Sequence, residues 1–553
     1  MTRITGGKGN SFAAGARRSR RYRQVPKLCG ADVELGNFIL GREASGSTGA
    51  AASRALLRKI EGISAGARTW GYGWGSGWYP GGAAAGGSGY WYDAQDWGRK
   101  YLPSNGGCVY IDLDHIEMCI PEVLSCWDHV AASHAMLRII RKAQTLANQE
   151  LPEGQTIQVL VNNSDGLSHS YGSHLNFLVT RETWDNLFVR KLHQLLFLAS
   201  YQVSSIVFTG QGKVGSENGR PATPYQLSQR ADFVEMLIGS HTTYSRPIVN
   251  SRDESLCGTS SRRACKTSRG RRLARLHCIF FDNTLCHVAS LLKVGVTQII
   301  LTMIEAGVTN LDLLLDDPVG TVTRWSHGAD LHTRSRLTSG KEVTAVELQL
   351  RFLEEATKFA QSGGLDMVPR SDEVLALWED TLLKLQAGDL DSLVGRLDWV
   401  LKRHVIEHSL RQRNDLDWES PEIKFLDLLY GNLDPSEGLY WAYEDSGLVE
   451  RVVSEAEIQR FVDEPPDETR AWTRAMLLRA LDAGQVSSID WDQVKVRLDP
   501  DCGWASDVEV RLDDPLGFTR AETGEIFRRA RSLEEILREL TGDSEERLPE
   551  VVA

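Results

Sequence analysis

Apolar and polar residues alternate in a segment near the start of the chain, which is the pattern of a half-buried β-strand. In residues 28–38, LCGADVELGNF, Asp32 and Glu34 fall on the face opposite three aliphatic side chains, because successive side chains of a strand point to opposite faces. Taken alone, this pattern is typical of an antiparallel sheet with one solvated face.

The same alternation recurs in residues 109–114, VYIDLD, where Tyr110, Asp112 and Asp114 share a face and Glu117 follows shortly after. Each strand by itself suits a solvated sheet. Together the two strands indicate an oxygen-lined site for Mg²⁺, which prefers carboxylate ligands and keeps several waters.

The rest of the pattern predicts strands first and helices later. Further strands are predicted at 156–163, 173–180, 204–210 and 275–281. Helices are predicted around 128–149, 183–200 and 286–306, and through most of the chain after about 340. Near the end, Ser532 and Glu535 have the spacing of a helix capping box. This order predicts an α+β fold instead of alternating βαβ units.

Composition limits the functional classes. The 553 residues carry a net charge of −12, which argues against a general nucleic-acid binder. No apolar run approaches the ~18 residues expected of a membrane helix, and the N-terminus lacks the apolar core of a secretory signal. Nine cysteines without a CxxC pair predict reduced thiols and a cytoplasmic protein.

Three segments have a biased composition. Residues 1–24 are a basic tail for which disorder is predicted. Residues 71–92 hold too much glycine for a regular element and predict a mobile loop, either a passive insertion or a lid or docking loop. The basic stretch 262–275 is either a solvated loop or a dock for an acidic partner. Its candidate contacts are Arg262, Arg263, Lys266, Arg269, Arg271 and Arg272.

A Mg²⁺ site of this kind usually holds a nucleotide phosphate, but the chain has no GxxxxGK[ST] loop. Arginines would have to bind the phosphates, because their forked guanidinium matches phosphate geometry. The candidates are Arg230, Arg246, Arg252 and Arg275. His174 shares a predicted strand face with Asn176 and is either a satisfied core histidine or a site ligand.

A series of collinear motifs resembles the Pup ligase and depupylase family (PafA and Dop), which is related to glutamine synthetase and the carboxylate–amine ligases. The motifs include GADVELG, NGGCVYIDLDHIEMCIPEV, SYGSHLNFLV, FTGQGKVG, TTYSRPIVNSRDE, EPPDETRAW and DWDQVKV. The resemblance implies a curved, largely antiparallel sheet cradle backed by helices. It implies a glutamine synthetase-like catalytic domain at 25–482 and a small C-terminal domain at 483–547.

The resemblance also implies roles for the residues that match the motifs. Asp112 matches the catalytic aspartate, and Trp491 matches the tryptophan that stacks near the adenine of ATP. The matches to the magnesium site and its surroundings are Asp32, Glu34, Tyr110, Glu117 and His174.

The chain departs from the family pattern at several positions, among them the segment DESLCG, which lacks a usual His and Asp. Asp32 stands where the family usually has Glu, and Cys108 stands where it has an arginine associated with ATP. Leu175 replaces the Glu that follows the motif histidine, and Thr284 and His287 replace an Asn and a Glu. These departures indicate a divergent branch of the family.

The resemblance implies an ATP- and Mg²⁺-dependent enzyme that acts on a small acidic Pup-like modifier and its lysine conjugates in a proteasome pathway. No membrane or nucleic-acid partner is expected. Two spacings resemble those of depupylases more than those of ligases. They are the five-residue step from Asp112 to Glu117 and the 77 residues that separate Glu34 from Asp112. We expect hydrolysis of the isopeptide, or of a C-terminal Gln amide, with Asp112 as nucleophile or base. A Pup–protein ligase and an inactive modifier-binding homologue are the alternatives.

Overall fold

The computed structural model of the chain describes residues 24–42, 44, 46–64, 97–254, 272–498 and 507–542. The predicted tail, apart from Gln24, and the predicted loop at 71–92 lie outside the described residues. Five members of the basic stretch also lie outside them: Arg262, Arg263, Lys266, Arg269 and Arg271. Arg272 is described and exposed.

Strands dominate the first half of the described chain. They are β1 (Cys29–Leu40), β2 (Ile63–Ser64), β3 (Trp97–Tyr101), β4 (Cys108–Asp112), β5 (His115–Cys119), β6 (Thr156–Leu160), β7 (Ser173–Thr180), β8 (Lys213–Val214), β9 (Tyr225–Gln226), β10 (Val234–Gly239), β11 (Arg246–Asn250), β12 (Leu273–Cys278), β13 (Ser335–Arg336), β14 (Glu342–Val343), β15 (Val486–Asp490), β16 (Gln493–Arg497) and β17 (Asp507–Arg511). Eight of them form an antiparallel sheet in the order β12-β7-β1-β5-β4-β3-β2, with β6 paired to the second half of β1.

Helices dominate the second half. They are α1 (Gly49–Lys59), α2 (Cys126–Asn148), α3 (Arg181–Asp185), α4 (Leu192–Thr209), α5 (His287–Ala306), α6 (Pro318–His327), α7 (Ala345–Gln361), α8 (Ser371–Ala387), α9 (Asp398–Gln412), α10 (Pro421–Tyr430), α11 (Leu439–Asp445), α12 (Glu455–Asp463), α13 (Ala471–Arg479), α14 (Arg520–Arg529) and α15 (Leu533–Thr541). Helix α5 contacts both α2 and α4, and the buried side chains of the three helices share a hydrophobic core with the aliphatic face of the sheet. The predicted α+β class and antiparallel sheet are confirmed.

Helix α5 is long and rich in apolar residues. Within the described part of the chain it is the one helix whose length and composition would let it cross a membrane, contrary to the expectation that no such run exists. The whole of its tested window is buried inside the fold. Its apolar surface is therefore covered by neighbouring elements.

The predicted strand at 204–210 is wrong, because these residues form the end of α4 and the glycine after it. Nearly every α4 side chain from Gln194 to Thr209 is buried. A helix buried on all sides lacks the 3.6-residue apolar period of a surface helix, so its sequence cannot be distinguished from that of a buried strand.

Asp114 also differs from the prediction. Strand β4 ends at Asp112, and Leu113 and Asp114 form the two-residue turn into β5. Leu113 has a φ of 52°, the left-handed conformation that tight hairpin turns require. Asp114 is therefore exposed in the turn and does not share the face of Asp112.

The C-terminal part contains its own small sheet. Strands β15, β16 and β17 pair antiparallel, and α14 and α15 follow them. The predicted capping box is half formed, since Ser532 Oγ accepts from Glu535 N at 3.3 Å while Glu535 Oε2 accepts from Arg531 N at 2.9 Å. The domain boundary at 482/483 stays a prediction.

Candidate active site

The register of four neighbouring strands brings the predicted site residues together. β1 pairs with β5 so that Glu34 lies opposite Glu117, and β5 pairs with β4 so that Glu117 lies opposite Tyr110. On the other side of β1, Asp32 lies opposite His174 of β7. Directly opposed side chains of antiparallel strands share a face, so these five side chains line one face of the sheet. This surface is called the acidic face below.

Their donor atoms form two overlapping groups. Asp32, Glu117 and His174 each offer an atom within 4.8 Å of the other two, and Glu34, Asp112 and Glu117 do the same. Glu117 belongs to both groups and is 2% exposed. The structure therefore places the predicted catalytic aspartate beside the predicted metal ligands, while the roles of these residues stay predictions.

Crowding and burial change the acidity of these groups. Burial, and then the charge of Asp112, raises the pKa of Glu34 to about 7. Burial, followed by the charges of Glu34 and Asp32, raises the pKa of Glu117 well above its usual range. Burial and the charge of Glu117 likewise raise the pKa of Tyr110. A cation among these groups would relieve the repulsion between their ionised forms.

The donor set fits a hard divalent cation. Carboxylate and phenol oxygens outnumber the single histidine, and Mg²⁺ prefers oxygen ligands. Oε2 of Glu117 is buried without a hydrogen-bond partner among the described residues. A buried, unpaired carboxylate oxygen is costly, and coordination to a cation would satisfy it.

Gly172 makes room for the close approach of Glu34 and His174. A Cβ atom at this position would lie 2.5 Å from both Glu34 Oε1 and His174 Nε2. Glu34 N also donates to Gly172 O at 3.1 Å, which fixes the segment before β7 against β1. The backbone can approach this closely only where no side chain is present.

Positive charges surround the histidine end of the face. Burial lowers the pKa of His174 to about 3, and Arg230, Arg275, Arg252 and Arg246 add to this effect. His174 is therefore neutral, with a nitrogen lone pair available as a ligand. The positive charges of all four arginines predicted to bind phosphate therefore lie close enough to His174 to lower its pKa.

Backbone carbonyls before β7 hold two of these arginines in place. Arg246 donates to Ser170 O at 2.6 Å, and Arg230 donates to Tyr171 O. Arg230 is buried, and burial lowers its pKa to about 10. Both guanidinium groups therefore have fixed positions near the segment that leads to His174.

Asn176 connects Asp32 to the arginine side of the site. Its Nδ2 donates to both carboxylate oxygens of Asp32 at 3.1 Å. Its Oδ1 accepts from Arg275 at 2.8 Å and lies 2.9 Å from His277 Nδ1. These contacts orient the Asp32 carboxylate. The sequence pattern placed Asn176 on the face of His174 but gave it no role, and it gave no signal for His277.

A pocket beside Asp32 reaches the predicted adenine-stacking residue. Its lining includes Asp32, Arg275, Arg470 and Trp491. Arg275, which is predicted to bind phosphate, and Trp491 therefore border the same pocket as Asp32, a predicted metal ligand. Arg470 is in the quoted motif EPPDETRAW, but sequence reasoning assigned it no function.

Arg99 of β3 is a site neighbour that sequence reasoning missed. Its Nη1 lies 3.4 Å from Cys108 Sγ, and its guanidinium carbon lies 3.9 Å from the centre of the Tyr110 ring. A neighbouring strand therefore supplies an arginine at the position where Cys108 departs from the family pattern. β3 has the sequence WGRKY, in which apolar and polar residues do not alternate, so the pattern did not predict this strand.

Two other departures lie away from the acidic face. Leu175 is 2% exposed and belongs to the hydrophobic core, because it points to the face opposite His174. Thr284 Oγ1 lies 2.7 Å from Ser290 Oγ at the start of α5. Neither substitution changes the cluster of carboxylates.

These features define an α+β enzyme whose site is a cluster of carboxylates on one face of an antiparallel sheet. The profile of the family described as Pup-ligase protein matches residues 47–495. The chain belongs to this family, as its motifs predicted.

Curated relatives include both enzyme types of the family. The chain is 37% identical to the depupylase of Acidothermus cellulolyticus, over 79% of this chain and 83% of the relative. It is 32% identical to the Pup deamidase/depupylase of Mycolicibacterium smegmatis, over 81% and 85%. It is 34% identical to the Pup–protein ligase of Acidimicrobium ferrooxidans, over 72% and 85%.

Solved structures show the same fold. The ligase PafA in its complex with Pup superposes with a TM-score of 0.72 at 23% identity, over 94% of this chain and 93% of that chain. PafA in complex with ADP superposes with a TM-score of 0.65 at 27% identity, over 79% and 90%.

Proposed function

We propose that the chain is a depupylase-type hydrolase, which releases a Pup-like modifier from lysine or removes the amide of its C-terminal Gln. The observation that carries this proposal is the group formed by Glu34, Asp112 and Glu117, whose oxygens lie within 4.8 Å of one another. Two relatives named as depupylases support it, and they align over more of the chain than the ligase does.

Different residues at the acidic face are proposed to bind the cation and to attack the substrate. The residues proposed to hold or surround Mg²⁺ are Asp32, Glu34, Tyr110, Glu117 and His174. Bound there, Mg²⁺ would neutralise charge on phosphoryl oxygens. Asp112 attacks the γ-carbonyl of the modifier's last residue, so that the C–N bond breaks, the lysine amine or ammonia leaves, and water then hydrolyses the resulting anhydride. In the alternative, Asp112 accepts the proton of a water that attacks the same carbonyl and the amine leaves in one displacement.

The nucleotide is proposed to bind between the arginines and the tryptophan. Arg230, Arg246, Arg252 and Arg275 face the phosphates, and Trp491 stacks near the adenine. The ADP bound to PafA supports a nucleotide at this fold, and the pocket that joins Arg275 to Trp491 supports its place. Arg99 supplies the charge that an arginine at position 108 would have given.

The proposed partner is a small acidic Pup-like protein with its lysine conjugates, in a cytoplasmic proteasome pathway. The PafA structure that contains Pup supports a partner of this kind. Arg272 and the rest of the basic stretch are proposed to steer it, since opposite charges speed association.

A Pup–protein ligase is the second candidate, and the 34% identical ligase relative favours it. In that reaction ATP would activate the modifier's γ-carboxylate, and Asp112 would accept a proton from the lysine amine. The two-residue turn between β4 and β5 supports the depupylase side, because the ligase spacing would lengthen this hairpin by one residue.

The test compares two isosteric substitutions two residues apart. A conjugate of a Pup-like modifier with a lysine protein is incubated with the full chain and Mg-ATP, and release of the modifier is followed by electrophoresis. Asp112→Asn removes the nucleophile or base, so release should fall by at least about 10³-fold. Asp114→Asn changes a carboxylate in the adjacent turn and should keep full activity.

The same assay distinguishes the alternatives. Conjugate formation from free modifier and target, without release, would establish the ligase. Modifier binding without turnover, unchanged in Asp112→Asn, would establish an inactive homologue. Equal loss of release in both variants would show that the turn, and not the Asp112 carboxylate, is required.

A further inference from the structure

A second group of metal-ligating side chains lies outside the acidic face. His134 of α2, His287 at the start of α5 and Glu444 of α11 each offer an atom within 4.8 Å of the other two. His287 Nε2 lies 3.8 Å from Glu444 Oε1, and the rings of His134 and His287 are 4.4 Å apart. Three helices from distant parts of the sequence therefore converge on one point.

The central histidine is buried and forms no hydrogen bond with the residues that the structure describes. The His287 side chain is 0% exposed, and neither ring nitrogen has a hydrogen-bond partner among the described residues. A buried polar group without a hydrogen bond destabilises the folded state. Such a group, pointing at a second histidine and a carboxylate, indicates a ligand that satisfies all three.

The other two side chains are oriented by further contacts. His134 Nε2 lies 3.1 Å from Leu285 O, and a carbonyl only accepts, so Nε2 carries the proton and Nδ1 keeps its lone pair. Arg451 donates to Glu444 Oε1 at 2.8 Å and positions that carboxylate. Metal-binding histidines commonly donate their second nitrogen to a backbone carbonyl in this way.

The backbone that carries His287 is also fixed. Asp398 accepts hydrogen bonds from Leu285 N at 2.8 Å, from Cys286 N at 3.2 Å and from the Tyr430 hydroxyl at 2.9 Å. The side chain that follows Cys286 is thereby held in one position before any ligand arrives.

We infer that His134, His287 and Glu444 bind a divalent transition metal of the Zn²⁺ class and so connect α2, α5 and α11. Two imidazoles and one carboxylate suit Zn²⁺ and its neighbours, whereas Mg²⁺ prefers oxygen ligands. Burial lowers the pKa of His287 to about 4 and lowers the pKa of His134 well below its usual range, so both rings are neutral and able to ligate. The proposed function plays no part in this inference.

The test is a direct measurement of Zn²⁺ binding by the full chain. The protein is stripped with chelator and dialysed into buffer containing Mg²⁺. Zn²⁺ is then titrated by calorimetry, and the bound metal is quantified by mass spectrometry. We expect a binding step of one equivalent. Co²⁺ in the same step should give the visible absorption bands of a low-symmetry nitrogen and oxygen site.

Two substitutions should remove that step. His287→Gln and Glu444→Gln each delete one ligand, and each should weaken binding by at least about 100-fold. Glu455→Gln is the matched control, because Glu455 pairs with Arg451 and Arg138 but does not belong to the triad. It should bind Zn²⁺ as the unmodified chain does.

Circular dichroism and gel filtration check that each variant folds. If His287→Gln does not fold, Glu444→Gln decides the question, since its change lies at the end of the short helix α11. Unchanged stoichiometry and affinity in the folded variant would overturn the inference. So would loss of the step in Glu117→Gln, because the Zn²⁺ would then occupy the acidic face.

Discussion

At the scale of single residues, the acidic face depends on side chains that are unfavourable without a ligand. Glu34 and Glu117 are buried among other carboxylates, and their pKa values are raised. Local stability has been given up at the point where a cation and a substrate are proposed to bind, a pattern common at functional sites. Stability measurements on the metal-free protein can therefore report on the site without any assay of turnover.

Glu34→Gln should stabilise the metal-free protein in a pH-dependent way. The pKa of Glu34 is raised to about 7 in the fold. The unfolded chain therefore loses this proton near pH 4.5 while the folded chain keeps it, and wild-type stability falls between those values. The variant lacks this loss, so its advantage should grow from about pH 4.5 to about pH 7 and reach about 3 kcal/mol.

Thermal unfolding of the chelated protein across this pH range measures the effect. Asp114→Asn, an exposed carboxylate of the adjacent turn, is the control and should show no such trend. Added Mg²⁺ should raise the Tm of the unmodified chain more than that of Glu34→Gln. A constant difference between the two proteins at all pH values would contradict the raised pKa.

Much of this site could be predicted from the sequence, for a physical reason. The two-residue period of a strand fixes which side chains share a face, so Asp32, Glu34, Tyr110 and Asp112 were placed from spacing alone. The period says nothing about which strands become neighbours. Arg99 and His277 enter the site through pairing with other strands, and no local pattern carries that information.

At the scale of elements, buried ion pairs connect the segment that follows β5 to the start of helix α13. Glu122 accepts from Arg470 Nε at 2.8 Å, and its second oxygen accepts from Arg474 Nη2 at 2.5 Å. Arg474 also donates to Trp491 O at 3.0 Å. Glu122 is in the motif NGGCVYIDLDHIEMCIPEV, but the sequence gave no sign that its partners lie about 350 residues away.

Glu122→Gln should destabilise the fold by about 3–5 kcal/mol, because it removes the buried negative charge that pairs with two buried guanidinium groups. Burial would raise the pKa of Glu122, but Arg474 and Arg470 override this and hold it at about 2. The stability from this group is thus present above about pH 4.5 and is lost as the pH falls toward 2. Denaturant unfolding at pH 7 and at pH 3 measures both effects.

The control for this change is an exposed ion pair of the same region. Asp467 lies 3.4 Å from Arg520, and both side chains are exposed. Asp467→Asn should change stability by no more than about 1 kcal/mol. If Glu122→Gln lowered the free energy of unfolding no more than this control, the buried ion pairs of Glu122 would not be what stabilises the contact between the segment that follows β5 and α13.

Element prediction failed where burial removed the pattern on which it depends. Helix α5 was found because its length exceeds that of any ordinary strand, whereas the end of α4 presented only seven apolar-rich residues and was assigned as a strand. The turn at Leu113 and Asp114 was missed because alternation continues through it in the sequence, although the chain reverses direction there.

At the scale of the whole molecule, the small C-terminal sheet shares its hydrophobic core with residues of the main sheet. Its strands contribute Val486, Val494 and Val510 to a hydrophobic cluster that also includes Tyr101 and Cys108 of the main sheet. The predicted boundary at 482/483 divides the chain into two parts, but residues from both parts belong to this one hydrophobic cluster. Hydrophobic contacts that cross the boundary couple the stability of the C-terminal sheet to that of the main sheet.

We therefore expect the full chain to unfold in one cooperative transition and not as two domains. A chain that ends at Asp482 would expose the side of Tyr101, Cys108 and Cys119 that the C-terminal sheet covers. Scanning calorimetry of the full chain should show one peak, and the truncated chain should melt at a lower temperature or aggregate. Glu122→Gln, which cuts the link through Arg474 to the Trp491 carbonyl, is the variant in which a second peak could separate. Two transitions in the unmodified chain would show instead that residues 483–547 fold as an independent unit.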